Sequence, residues 1–80
     1  MAIIRVQLTF PHESVKRPII YQIGQEFDVV TNIRRANVTA TTGWVVLEIS
    51  GEQDEIERAV EKLKSLGVRV DPVEGDVVRP

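Results

Sequence analysis

The chain contains no cysteine. That absence excludes disulfides, thiolate metal sites, iron–sulfur ligation and a cysteine nucleophile, and it leaves the redox compartment undetermined. There is one histidine, His12. It has no second histidine to share a metal, and its neighbour Glu13 does not give metal-ligand spacing. Ser14 beside it resembles half of a nucleophile–base pair, but no orienting third group or oxyanion hole accompanies it. Glycine-rich phosphate loops are also missing, since Gly43, Gly51 and Gly67 stand alone. No run approaches the roughly 20 apolar residues of a membrane span. The N-terminus lacks the basic start and long apolar core of a signal peptide. Net charge is only −2, which gives no bulk attraction for nucleic acid or an anionic membrane. These absences predict a non-catalytic, cytoplasmic protein without a cofactor, a metal or membrane insertion.

What remains is ordinary globular composition, 42% apolar and 28% charged, in 80 residues. That is one small domain. Residues 2–10 alternate, with Ile4, Val6, Leu8 and Phe10 on one side, and Pro11 ends the strand. Pro18 suits the first turn of a helix whose apolar stripe is Ile19, Ile20, Ile23 and Phe27. Gly24 within it marks close packing against a sheet, or room for a ligand or partner. Residues 29–40 read as a second strand whose phase breaks. Val29 and Ile33 are odd, Ala36, Val38 and Ala40 even, so a bulge belongs between Asn32 and Arg35. Thr41, Thr42 and Gly43 are expected to make the hairpin loop, with glycine at positive φ. Val45, Leu47 and Ile49 form the core face of a third strand. Residues 52–66 are the clearest helix, with Ile56, Ala59, Val60, Leu63 and Leu66 buried. Ser50 and Gln53 are expected to form its capping box, Asp54 and Arg58 an i,i+4 pair, and Gly67 its stop. Val68 and Val70 open a fourth strand.

The order βαββαβ has one dominant solution. Right-handed crossovers put both helices on one face of a four-stranded antiparallel sheet, an α+β ferredoxin-like sandwich. The other face is left open, and Ile3, Trp44 and Val46 should lie on it as a candidate interface. RNA-recognition modules share this topology but need stacked aromatics on that face, and one tryptophan beside Glu48 makes a poor platform. No nucleic-acid partner is expected. The segment Asn32-Ile33-Arg34-Arg35-Ala36-Asn37 is the most unusual. Asparagine can hold either end of a zwitterion, and arginine can grip a carboxylate with a fork. Equally, Asn32 can satisfy the irregular backbone and the arginines can be surface charges.

The ordered set Leu8-Thr9-Phe10-Pro11, Pro18-Ile19-Ile20, Phe27-Asp28-Val29, Asn32-Ile33, Arg35-Ala36-Asn37-Val38, Gly43-Trp44, Glu48-Ile49-Ser50-Gly51 and Leu63 to Val70 resembles the NIL domain family. Arg34 stands where the family's Asn-Ile-Leu tripeptide has leucine. The resemblance implies the same ferredoxin-like, ACT-like fold. In one group of the family, at the C-terminus of methionine-importer ATPase subunits, the domains pair, bind methionine and restrain transport. A second group precedes an iron–sulfur ferredoxin module and is linked to homocysteine synthesis; this chain is more similar to that group. The resemblance implies a regulatory domain at residues 1–73, with 74–80 a tail or linker. Its ligand would be methionine or a related sulfur amino acid. The expected ligand site is Asn32, Ile33, Arg34, Phe10 and Pro11, in a homodimer. The alternative is a docking module for a redox or sulfur-transfer partner, with no ligand of its own.

Overall fold

The computed structural model describes residues 1–12 and 17–73. The elements are β1 (Ala2–Phe10), α1 (Ile19–Glu26), β2 (Val29–Val38), β3 (Gly43–Gly51), α2 (Gln53–Ser65) and β4 (Arg69–Pro72). The strands make one sheet in the order β2-β3-β1-β4, with every neighbouring pair antiparallel. This is the expected α+β sandwich. Ile19 and Ile23 of α1 and Ile56, Ala59 and Leu63 of α2 pack with Val6, Leu8, Val45, Leu47 and Ile49 of the sheet. Each set follows its element's period, 3.6 on the helices and 2 on the strands. The central strands supply Leu8, Leu47 and Ile49, all fully buried.

β2 carries the predicted bulge. Ile33 pairs with Leu47 and Arg35 with Val46, so Arg34 is the extra residue. The skip returns Ala36 and Val38 to the face already occupied by Val29, Thr31 and Ile33. β2 ends at Val38, two residues sooner than expected, because Thr39 turns the chain. Its hydroxyl accepts from the N–H groups of Thr41 and Thr42 at 3.3 and 3.0 Å, and its own N–H donates to the Thr42 carbonyl at 2.8 Å. Gly43 is therefore not a loop glycine. It is the first residue of β3, opposite Phe10 and Val38, and its φ is not positive.

The helix ends depart from expectation in three places. Pro18 sits one position before α1 rather than inside its first turn, and Phe27 leaves the helix into extended backbone while still packing on the core. Ser50 does not cap α2. β3 runs on through Gly51, and the Ser50 hydroxyl instead reaches the Val30 carbonyl at 3.5 Å. Glu52 takes the N-cap position without a side-chain cap, and Gln53 bonds Glu57 within its own helix. Arg58 pairs with Glu55 at 2.9 Å rather than with Asp54. Glu55 also accepts the Asp28 N–H at 2.9 Å, so α2 ties down the turn that leaves α1. The C-terminus of α2 behaves as predicted. Gly67 takes φ +86°, and the N–H groups of Val68 and Gly67 return to the carbonyls of Leu63 and Lys64, a Schellman motif.

Candidate functional site

β2 is the sheet's outer strand on one side, and α1 is too short to cover it. Eight helical residues span about 12 Å, whereas ten strand residues span about 34 Å. The half of β2 beyond the bulge therefore overhangs. Ile33 and Val38 belong to the helix-side face, yet they are 54% and 56% exposed. Between them and the start of α1 lies a cleft of about 240 Å³, walled by Phe10, Pro18, Ile20, Tyr21, Ile33, Ala36 and Val38, with Arg17 as its charged residue. It is apolar and small, below the roughly 300 Å³ at which ligand-sized cavities usually begin.

The opposite face of the same strand is polar. The register aligns Asn32 with Glu48 and Glu48 with Arg5. The Arg5 guanidinium donates to the Glu48 carboxylate at 2.5 Å, with both side chains largely covered. That hydrogen bond is the main reason the Glu48 carboxyl is held below its ordinary value of 4.5. Burial opposes the shift, and the charges of Arg34 and Arg5 and the Asn32 hydrogen bond reinforce it. Arg34 acts on Glu48 through its charge alone, since no direct ion pair joins Arg34 or Arg35 to an acid among the described residues.

The predicted site residues therefore fall in two groups. Phe10 and Ile33 share the cleft. Asn32 and Arg34 act on Glu48 on the other face. Pro11 is exposed just after β1 and outside the cleft wall. Of the expected interface, Ile3 is 67% exposed and Val46 only 7%, with Trp44 half-buried. The register sets Ile3 six rungs from Trp44, about 20 Å along the strand, and the Arg5–Glu48 pair lies between them. Sequence reasoning missed Tyr21, Ala36 and Val38 as cleft residues. The phase break carried the signal for the latter two, since it put them on the Ile33 side. Nothing in the sequence marked Arg17.

Chemistry is sparse elsewhere. His12 is exposed, and its expected neighbours Glu13 and Ser14 lie outside the described residues, as does the expected tail 74–80. No group of acidic or histidine side chains among the described residues could hold a metal. No helix among them is long and apolar enough to cross a membrane.

Comparison with known proteins places this geometry. The family profile described as the NIL domain matches residues 4–72. A protein described as methionine import ATP-binding protein MetN 2, from Listeria innocua, is 30% identical over 73 residues, covering 86% of this chain and 22% of that protein. One described as methionine import ATP-binding protein MetN 3, from Bacillus cereus, is 31% identical over 77 residues, covering 91% of this chain and 21% of that protein. The chain thus spans about a fifth of the length of the curated relatives it matches. Among solved structures, the C-terminal domain of an ABC transporter ATP-binding protein from Enterococcus faecalis superposes with a TM-score of 0.77. It is 30% identical, and the match covers 91% of this chain and 86% of that one.

Proposed function

The chain belongs to the NIL domain family, and from that premise we propose that it is a non-catalytic regulatory domain that binds a small amino acid with an apolar side chain. The observation that carries this reading is the cleft left open where α1 stops short of β2. Methionine or a related sulfur amino acid is the candidate ligand. A flexible thioether chain fits an apolar cavity of irregular shape and makes favourable contacts with aromatic rings such as Phe10 and Tyr21. Relatives named as methionine import proteins support the same choice.

The ligand's charged end needs partners that the cleft wall largely lacks. β2 lies at the sheet margin, so Asn32 on one face and Ile33 on the other both border its free edge. A ligand seated at that edge rests its side chain on Phe10 and Ile33 and turns its polar end toward Asn32 and Arg34, with Pro11 near the mouth. The domain acts as a homodimer, pairing through the open sheet face that presents Ile3 and the half-buried Trp44, with Val46 buried beneath that surface. Its output passes to an ATP-binding or other partner chain.

Isothermal titration with methionine, homocysteine and cysteine tests the reading. Saturable heat with methionine, lost in Ile33→Asp and weakened in Asn32→Ala, is the expected result. No heat with any of the three at millimolar ligand overturns it. The docking alternative then gains support if Trp44→Ala abolishes capture of an iron–sulfur partner while Asn32→Ala does not.

A further inference from the structure

We infer that Tyr21 is the lid of the apolar cleft, a ring that folds down over a bound ligand, and that Gly24 keeps bare the flank across which it folds. The inference rests on the reading of the cleft as an amino-acid site and names the residue that closes it. Tyr21 stands on the outer crest of α1. Ile19 and Ile23, two residues away in either direction and so about half a turn round the helix, are the buried residues of that element. The ring is accordingly 67% exposed. A depression lies on each side of this crest. Toward β2 is the cleft of about 240 Å³, which Ile20 also walls. Toward α2 is a groove of about 380 Å³, walled by Gln22, Gln25, Lys62 and Leu66. Arg17 and Tyr21 border both. Of the two, only Tyr21 can offer an apolar surface to an apolar cleft.

Gly24 lies on the cleft-side flank of that crest, one turn on from Ile20 and three residues from Tyr21, so it neighbours both. A Cβ there would meet no heavy atom within 4 Å, the Tyr21 ring included. Packing therefore does not call for glycine at this position, and helix propensity opposes it. Side chains on a helix lean back toward its N-terminus, so any side chain at 24 would project over Ile20 and Tyr21 and fill the space beside the ring. Glycine leaves that space empty. The cleft in turn lacks a wall. It is smaller than most ligand cavities, and Ile33 and Val38 on its β2 side are more than half exposed. A ring lowered across it covers an apolar side chain where water otherwise reaches, and a thioether sulfur packs favourably at the edge of an aromatic ring. Closure needs rotation about two side-chain torsions and no backbone movement, a change that exposed side chains make in picoseconds to nanoseconds.

Tyr21 is the only tyrosine of the chain, so 3-fluorotyrosine labelling of the whole chain gives one fluorine resonance that reports the ring alone. The test titrates this protein with methionine while amide shifts at Phe10 and Ile33 report filling of the cleft. The fluorine resonance should move in step with those amides, and its broadening by a soluble gadolinium chelate should fall as the ring is covered. Tyr21→Ala and Gly24→Leu should each weaken methionine binding by about tenfold, with Gly24→Ala weakening it less than Gly24→Leu. The double variant Tyr21→Ala/Gly24→Leu should bind no more weakly than Tyr21→Ala, because the two residues act through one movement. Both Gly24 substitutions favour the helix, so weaker binding together with a raised thermal midpoint is not a loss of folding. In labelled Gly24→Leu the fluorine should stay exposed with methionine bound. Amide shifts that saturate while the fluorine resonance stays fixed overturn the lid and leave the cleft as the ligand site. Losses that add in the double variant do the same. No shifts at Phe10 or Ile33 at millimolar methionine overturn the ligand site itself, and the lid with it.

Discussion

Glu48 is the acid at the centre of the open face, and its environment makes it a reporter of that face. Arg5, Arg34 and Asn32 all favour its ionised form, so its carboxyl is held below the ordinary 4.5. A folded value below the unfolded one contributes stability above the unfolded value, and that contribution is lost as pH falls through the folded value. Wild-type stability should therefore decline as pH drops below about 4.5. In Glu48→Gln that part of the decline should be missing. Urea unfolding at a series of acidic pH values checks this. Gly51 gives a second residue-scale prediction. Its φ is +156°, and a Cβ there would stand 2.9 Å from the Asp28 carbonyl oxygen, a backbone atom that cannot move aside alone. Gly51→Ala should cost about 1–3 kcal/mol in denaturant unfolding. Single residues were the hardest scale to read from the sequence. Ser50 has every attribute of a helix cap, but the ladder with Ile3 and Val30 holds it in β3. Asn32 and Ile33 are neighbours in sequence and face opposite ways in the sheet, a separation that a motif of consecutive letters conceals.

At the scale of elements the sequence was more informative. The change of parity along β2 located the bulge, because apolar side chains on both parities cannot share one face of a regular strand. The start of α1 was less legible, since Pro18 fits either the cap or the first turn, and position along the helix differs by only one residue. Gly24 separates two explanations of that helix. A Cβ at Gly24 would have no heavy atom within 4 Å, so close packing is not the reason for glycine. Gly24→Ala should stabilise the domain by about 0.5–1 kcal/mol through helix propensity and a less flexible unfolded chain. A rise in thermal midpoint checks it, and a fall would mean that α1 needs glycine's freedom. The length of α1 is the element-scale fact with most consequence for function, because it leaves Ile33 and Val38 uncovered.

For the whole molecule, pattern and topology rules were enough. Alternation in three strands and two amphipathic helices leaves one compact arrangement, and the sheet order β2-β3-β1-β4 is the one that right-handed crossovers require. The core that results is thin and central. Leu47 is fully buried in the core cluster to which both helices contribute, so Leu47→Ala should lose about 3 kcal/mol, enough to leave so small a domain marginal at physiological temperature. What topology cannot convey is which surfaces stay uncovered, since that depends on where a helix stops. The cleft was for that reason invisible until the ends of α1 and β2 were placed. The most direct test of its role is a titration of isotope-labelled protein with methionine, followed residue by residue through backbone amide shifts. The account predicts saturable shifts confined to Phe10, Ile19 to Tyr21 and Asn32 to Val38. Shifts that never saturate, or that fall on α2 and the β4 edge instead, would contradict it.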